Sequence, residues 1–121
     1  MSKVCDNINM QKQIMLYNLK NGKEPFDIWL SSVKDKTTRA KIKTSVLRMS
    51  SGNYGDFKKL SSGICELRLH FGSGYRIYFS ELDKVVILLL CGGDKSSQTK
   101  DIEKAVKYLK DYKELNYDEN I

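Results

Sequence analysis

The segment that decides the fold, residues 64–79, reads ICELRLHFGSGYRIYF. Apolar residues occupy alternate positions on both sides of a glycine-containing connection, a pattern typical of two strands that each turn one face to a core. Gly72 and Gly74 favour a tight turn between those strands. The sequence therefore predicts an antiparallel β-hairpin.

The register of this hairpin determines which polar side chains share a face. The connection is compatible with a two-residue or a three-residue loop, but pairing Phe71 with Tyr75 across three residues keeps all the apolar positions in step. We therefore expect one face of the sheet to pack on helices. The other face is expected to display five polar side chains: Glu66, Arg68, His70, Arg76 and Tyr78.

On this polar face, Arg76 is expected opposite His70, and Arg68 opposite Tyr78. Arginine can hold phosphate oxygens with two hydrogen bonds, histidine and tyrosine can stack on an unpaired base, and imidazole can move a proton near neutral pH. This combination favours RNA binding. The alternative is an ordinary solvent-facing sheet surface, with Glu66 in cross-strand ion pairs with the arginines.

The flanking segments predict a mixture of helices and strands. Apolar residues at helical spacing indicate helices over residues 25–33 and 37–50, joined by a short connection, and a third helix around residues 102–109. Strands are predicted over residues 13–19, 57–60 and 85–91. The last of these is continuously apolar, which indicates a central strand covered on both faces for most of its length.

The composition is that of a small domain with a basic surface. The chain has 121 residues, 40% of them hydrophobic, which predicts one domain over residues 1–121 with fraying at 1–12 and 114–121. The formal charge of +6 favours a polyanionic partner. Six basic residues and one acid fall between Lys34 and Arg48, and four of the six lie on the second predicted helix. A solvated helix face is the alternative interpretation of that cluster.

Cysteine usage and hydropathy exclude several classes of protein. The three cysteines are odd in number and lack metal-ligand spacing, so neither a disulfide framework nor a metal site is expected. Neither the apolar core of a signal peptide nor a membrane-spanning stretch is visible. We therefore expect a cytoplasmic protein without a membrane partner, a metal or a cofactor.

A glycine-containing segment follows the last predicted strand. It begins at Gly92 and Gly93 and continues through Asp94 to Lys95. Glycines there would let the backbone approach a phosphate, with Lys95 adding positive charge, whereas the alternative is a bare turn. The spacing of a Walker loop is absent, so this segment does not indicate that kind of nucleotide site.

Several runs of the sequence resemble a known family. They are GNYGD at 52–56, ELR at 66–68, GSGYRIYF at 72–79 and LLCGGDKSSQ at 89–98, and the segments FDIWL at 26–30 and DIEKA at 101–105 also fit. In order, and from about residue 13 to residue 109, they look like the phage-derived, HigB-like addiction-module killer proteins of the RelE/ParE toxin superfamily.

The resemblance implies an α+β fold in which a twisted, mainly antiparallel sheet carries an N-terminal helical hairpin on one face and is accompanied by a C-terminal helix. It also implies the toxin of a type II toxin–antitoxin pair, a ribosome-dependent endoribonuclease that cuts messenger RNA and inhibits translation. The implied partners are a cognate helix-turn-helix antitoxin, messenger RNA on the ribosome, and operator DNA reached through the antitoxin. A gyrase-poisoning toxin and an inert antitoxin-binding module are the alternatives.

The chemistry that the resemblance implies needs no metal, because the ribose 2′-OH attacks the adjacent phosphate and expels the 5′-oxygen of the next nucleotide. On this hypothesis the phosphate-binding catalytic residues are Arg68, Arg76 and Lys95. His70 is a candidate acid or base by its chemistry alone, and Glu66 is either a base or a group that orients an arginine. The candidate RNA contacts are Lys58, Lys59, Tyr78, Arg39 and Lys43.

Overall fold

The computed structural model describes the backbone of residues 11–119 and the side chains as far as Leu115. Over these residues it contains five strands and three helices, in the order β1 (Gln13–Leu16), α1 (Pro25–Ser32), α2 (Lys36–Ser50), β2 (Phe57–Lys59), β3 (Cys65–Arg68), β4 (Arg76–Asp83), β5 (Val86–Gly93) and α3 (Gln98–Glu119). Short 3₁₀ turns cover Ser61–Gly63 and Lys95–Ser97. Each predicted strand and helix has a counterpart at nearly the same position.

The strands form a five-stranded sheet in the order β1-β5-β4-β3-β2. Strand β1 runs parallel to β5, and the other neighbouring pairs are antiparallel. The sheet is therefore mostly antiparallel, and with the C-terminal helix α3 it makes an α+β structure. This fold class is the one predicted from the sequence.

Strand β5 is covered on both faces. Ile87 and Leu89 lie in the hydrophobic cluster that includes residues of α1 and α2, whereas Leu88 and Leu90 lie in the cluster that includes residues of α3. All four side chains are almost fully buried. The prediction for this continuously apolar strand is therefore confirmed.

The sheet face opposite α1 and α2 is largely closed to solvent. Ala105 and Leu109 of α3 pack in the same cluster as Tyr78, and Glu66 is also fully buried. The prediction of a solvent-facing polar surface is therefore wrong over much of this face. The physical reason is that the C-terminal helix occupies the space in front of the polar side chains.

The β3–β4 hairpin adopts a different register from the predicted one. Arg68 pairs with Arg76, and Glu66 pairs with Tyr78, so the predicted pair of Arg76 with His70 does not form. The shift is two residues, which leaves each paired residue on its predicted face. Strand β3 ends at Arg68 and β4 begins at Arg76, so the connection is seven residues long instead of three.

The connecting loop, residues 69–75, is shaped by its aromatic rings. The ring centroids of Phe71 and Tyr75 lie 6.0 Å apart, and both rings pack against the core beneath α1 and α2. Gly72 and Gly74 have φ angles of 62° and 77°, which glycine adopts without strain. Phe71 therefore does not pair with Tyr75, whose carbonyl accepts from the Leu69 N–H at 2.9 Å instead, and the three-residue loop is not formed.

The two ends of the chain are only partly described. Residues 1–10, 120 and 121 lie outside the described residues, so the fraying expected at the ends stays a prediction, as does the single domain over residues 1–121. Helix α3 continues to Glu119, beyond the apolar repeat that predicted it. None of the helices within residues 11–119 combines the length and the apolarity needed to cross a membrane.

Strand β5 ends at two glycines that face other elements closely. A Cβ atom on Gly92 would overlap the ring of Trp29 in α1, and a Cβ atom on Gly93 would overlap the carboxylate of Asp101 in α3. Both helices therefore reach the sheet at this point. Close helix packing accounts for the two glycines without a phosphate.

Replacement of Gly92 by alanine is expected to lower the free energy of unfolding by about 1–3 kcal/mol, because the added methyl group overlaps the Trp29 ring. Urea unfolding followed by circular dichroism measures this change. In a Trp29→Leu background the same replacement should cost less than about 1 kcal/mol, since the smaller side chain leaves room. An equal cost in both backgrounds would contradict the overlap.

Candidate functional site

The carboxylate of Glu66 is the centre of a polar cluster inside the fold. It accepts hydrogen bonds from Arg68 Nε at 3.1 Å, Tyr78 Oη at 3.0 Å and Gln98 Nε2 at 2.8 Å. Arg76 Nε lies 3.7 Å from the same carboxylate. A fully buried charge of this kind is tolerated only because such partners surround it. We call these five residues the carboxylate cluster.

Burial and hydrogen bonding act in opposite directions on Glu66. Burial raises its pKa, but the hydrogen bonds from Gln98, Arg68 and Tyr78, together with the Arg68 charge, lower it by more, so the pKa of Glu66 lies below the usual value. Burial and the neighbouring Glu66 charge both raise the pKa of Tyr78, so the phenol stays protonated and donates. This environment favours an orienting role for Glu66 over the role of a base.

The two arginines of the cluster differ in exposure. Arg68 and Arg76 face each other across β3 and β4, with side chains 38% and 13% exposed. Arg76 Nη1 donates to the Gly74 carbonyl at 2.8 Å, whereas its Nε has no hydrogen-bond partner. Glu66 therefore holds one guanidinium group that reaches solvent and one that is mostly enclosed.

Lys95 lies beside Arg76 at the end of the sheet. A Cβ atom built on Gly74 would lie 3.4 Å from Arg76 Nη1 and 3.5 Å from Lys95 Cβ. Lys95 is exposed, and its backbone N–H donates to the Ser73 carbonyl at 3.4 Å. The structure thus brings three of the predicted catalytic residues into one region: Arg68, Arg76 and Lys95.

The segment that carries Lys95 is held by a capping box. The Asp94 carboxylate accepts from the backbone N–H of Ser96 at 2.9 Å, and the Ser97 hydroxyl accepts from the Asp94 N–H at 3.3 Å. The hydrogen bond from the Ser96 hydroxyl is the largest reason why the pKa of Asp94 is lowered. Because Gln98 follows at once, the same turn positions Lys95 and the amide that binds Glu66.

The two lysines of β2 belong to different faces of the sheet. Lys58 pairs with Glu66, and Lys59 pairs with Cys65. Both lysines are exposed. Because paired residues share a face, Lys58 lies on the side of the carboxylate cluster and Lys59 on the side of α1 and α2.

His70 does not join the two arginines. Its Nε2 lies 2.6 Å from Asp56 Oδ2, and its side chain is 75% exposed. It lines a cleft with Lys41 and Arg48 of α2. The predicted position opposite Arg76 is wrong because β3 ends before His70, so strand alternation no longer determines where its side chain points.

Tyr78 is not available to stack on a base. Its side chain is fully buried in the cluster closed by α3, and its hydroxyl donates to Glu66. The prediction that Tyr78 contacts RNA is therefore wrong for this structure, because the helix covers its ring. The ion pairs expected in the alternative interpretation are present, but Glu66 is buried instead of solvent-facing, and Arg68 reaches it from the same strand.

The other two candidate RNA contacts lie on α2. Lys43 is exposed, whereas Arg39 Nη1 donates to the carbonyls of Val33 and Lys34. These carbonyls follow the C-terminal end of α1, where backbone oxygens lack helical partners. Arg39 therefore links the two helices, and both residues belong to a helix that packs on the sheet face away from the carboxylate cluster.

The described cysteines are buried thiols. Cys65 and Cys91 are free, and burial raises the pKa of both, that of Cys91 to about 12. Such thiols stay protonated and are poor nucleophiles. Among the side chains that the structure describes, residues 11–115, no group of three or more histidine, cysteine, aspartate or glutamate residues is arranged to hold a metal ion.

Two contributors to these contacts were not predicted from the sequence. Gln98 lies 32 residues from Glu66, and Asp56 lies 14 residues from His70. Hydrogen bonds over such separations depend on the assembled fold. The signal that could have singled out Gln98 and Asp56 is their position inside the runs that carry the family resemblance.

The fold and the site together define a small α+β protein with a cationic region organised by a buried carboxylate. The chain is 49% identical over 80 residues to an uncharacterized protein of Haemophilus influenzae, and the alignment covers 66% of this chain and 81% of that protein. The chain belongs to the same family as this relative. No family model matches it.

Replacement of Glu66 by glutamine is expected to lower the free energy of unfolding by about 3 kcal/mol, because an amide cannot neutralise the enclosed Arg76 guanidinium. Urea unfolding at pH 7 measures the loss. Glu103→Gln on the exposed side of α3 is the matched control and should change stability by less than about 0.5 kcal/mol. Equal stabilities of the two variants would refute the role given to Glu66.

Acid should destabilise the wild-type protein through the same carboxylate. The folded-state pKa of Glu66 is lowered, so its contribution is present above the unfolded-state pKa of about 4.3 and is lost as the pH falls through the folded value. Unfolding measured from pH 7 down to pH 3 should show a smaller decline for Glu66→Gln than for the wild type. Parallel profiles would argue against a lowered pKa.

Proposed function

We propose that the chain is the toxin of a type II toxin–antitoxin pair, a HigB-like member of the RelE/ParE superfamily, and that it cuts messenger RNA on the ribosome. The observation that carries the proposal is the pairing of Arg68 with Arg76 beside Lys95. The resemblance of the sequence runs and the mostly antiparallel α+β fold support it. In this proposal α1 and α2 correspond to the N-terminal helical hairpin of the superfamily.

The cationic region suits a ligand whose negative charge increases during reaction. Arg68, Arg76 and Lys95 share the neighbourhood of one buried carboxylate, Glu66, so positive charge remains in excess. Hydrogen bonds already hold the arginines, and little rearrangement is needed when a phosphate arrives. The partly exposed Arg68 and the exposed Lys95 present this charge to solvent.

In the proposed reaction the ribose 2′-oxygen forms a bond to the adjacent phosphorus, and the bond from that phosphorus to the 5′-oxygen of the next nucleotide breaks. The products carry a 2′,3′-cyclic phosphate and a 5′-hydroxyl group, so one proton leaves the 2′-OH and one reaches the leaving oxygen. Arg68 and Arg76 would bind the phosphate oxygens, and Lys95 would add positive charge. Glu66 would orient Arg68.

Two further candidate residues lie on different sides of the sheet and are assigned differently. Lys58 is assigned to the RNA backbone, because it shares the face of Glu66 and is exposed. His70 is assigned no part in the chemistry, because its imidazole is bonded to Asp56 beside α2. The partners that go with this proposal are a helix-turn-helix antitoxin, messenger RNA on the ribosome, and operator DNA reached through the antitoxin, all in the cytoplasm.

Arg68→Ala is expected to slow RNA cutting about 100- to 1000-fold, the usual effect of removing one group that stabilises an anionic transition state. The measurement is the mapping of transcript ends, with growth, after induction of the wild type and the variant. Lys107→Ala is the control, because it removes one positive charge from an exposed position of α3. It should cut RNA and arrest growth as the wild type does.

Arg68→Ala leaves Glu66 with fewer partners, so Lys95→Ala is tested beside it, and thermal unfolding shows that each variant is folded. Undiminished cutting by both variants would contradict the assigned roles. Growth arrest by the wild type with intact transcripts would reject RNA cutting and favour gyrase poisoning. Undisturbed growth on induction of the wild type would favour an inert antitoxin-binding module.

A further inference from the structure

Helix α2 carries a second cationic surface. It contains five basic residues and no acidic residue: Lys36, Arg39, Lys41, Lys43 and Arg48. Its buried side chains, Ile42 and Met49, lie in the core cluster that includes Leu67 and Ile77. That cluster is on the sheet face away from Glu66. We call the five basic residues the α2 basic surface.

Among the described side chains, residues 11–115, no salt bridge involves the α2 basic surface. The ion pairs of this part of the chain involve two carboxylates, those of Glu66 and Asp56, and neither contacts α2 cations. Asp35, next to the helix, accepts from the Thr38 N–H at 3.2 Å as its N-cap. Four of the five cations are exposed: Lys36, Lys41, Lys43 and Arg48. A partner of opposite charge would therefore replace no internal salt bridge.

A cleft adjoins this surface, between α2 and the loop of residues 69–75. Two neighbouring cavities of about 300 and 510 Å³ share Arg48, His70 and Phe71 in their walls. Lys41 Nζ lies 5.4 Å from the centroid of the Phe71 ring. The acidic residue that lines these cavities, Asp56, is hydrogen-bonded to His70. The cleft therefore combines positive charge with aromatic side chains, of which that of His70 is the most exposed.

We propose that the α2 basic surface and this cleft bind single-stranded nucleic acid. Lysine and arginine would contact phosphates, and the exposed ring of His70 offers a face on which an unpaired base can stack. The positive charge of α2 alone would suit any polyanion. The aromatic side chains of the cleft favour a strand whose bases are unpaired. RNA and DNA strands share this chemistry.

A membrane surface fits the same residues less well. Binding in the plane of a membrane needs a helix with a broad apolar face turned outward. The exposed large apolar residue of α2 is Leu47, while Ile42 and Met49 are fully buried in the core. Because α2 has exposed positive charge but no apolar face turned outward, a water-soluble polyanion is the better ligand for it.

The exposed cations form two rows on opposite flanks of α2, and the row of Lys41 and Arg48 is the one that lines the cleft. Lys36 and Lys43 are separated by seven residues, as are Lys41 and Arg48. Each pair spans about 10.5 Å along the helix axis. Arg39 is left out of the test because its guanidinium group links α1 to α2.

The test compares two charge-matched double variants of the full chain by fluorescence anisotropy. Lys41→Gln with Arg48→Gln removes two cations of the cleft, and Lys107→Gln with Lys110→Gln removes two exposed cations of α3. The probe is a labelled, unstructured RNA with 2′-O-methyl riboses, which cannot be cut by attack of a 2′-oxygen. Circular dichroism checks that each variant is folded.

The α2 variant is expected to bind the probe at least about tenfold more weakly, with the slope of log affinity against log salt reduced by about 1.4 for two lost phosphate contacts. The α3 variant should bind within about threefold of the wild type. Equal losses in the two variants, or no loss in the α2 variant, would overturn the proposal.

Duplex RNA and single-stranded DNA of the same sequence complete the comparison. Tighter binding of the single strands than of the duplex supports base stacking in the cleft, and the reverse order would overturn it. The affinities of the RNA and DNA strands identify which is the better ligand. Binding is measured with a probe that cannot be cut, so it does not depend on cleavage. If the α2 variant loses binding while the wild type leaves transcripts intact in cells, the proposed endoribonuclease is rejected and this inference stands.

Discussion

The enclosed charge of Glu66 is the constraint on which the polar half of this structure depends. A carboxylate without access to water needs several donors, and here they come from β3, β4 and the first turn of α3. The observed hairpin register brings Arg68 and Arg76 level with each other beside that carboxylate. Strand pairing therefore places both arginines where the Glu66 charge needs them. The donor from the first turn of α3 connects the position of that helix to the same carboxylate.

The sheet separates two cationic regions that differ in how their charge is held. On the α3 side, Arg68 and Arg76 are tied to a buried carboxylate and have little freedom. On the α2 side, lysines such as Lys43 extend from an acid-free helix into solvent. The first arrangement suits the orientation of one phosphate, and the second suits the capture of a chain of phosphates. The loop of residues 69–75 lies where the two regions approach each other.

Local patterns predicted the elements of the fold better than the contacts between them. Alternation, helical spacing and the apolar run before Gly92 indicated each strand and helix. Alternation also placed Arg68 and Arg76 on one face, whereas only the family resemblance associated Lys95 with them. The hairpin register was missed because a shift of two residues leaves each paired residue on its predicted face, so alternation does not distinguish the two registers. The covering of the polar face was missed because periodicity shows that a helix is amphipathic but not which surface it covers.

The parallel pairing of β1 with β5 joins the first described strand to the last. Gln13 lies beside Val86, and Leu16 beside Leu89, so this edge of the sheet closes only after most of the polypeptide has been made. Contacts between such distant segments are slow to form, because a long loop must lose its freedom before they do. During synthesis the strand near the N-terminus would therefore wait for β5, and the outer edge of β5 would be the last part of the sheet to be covered.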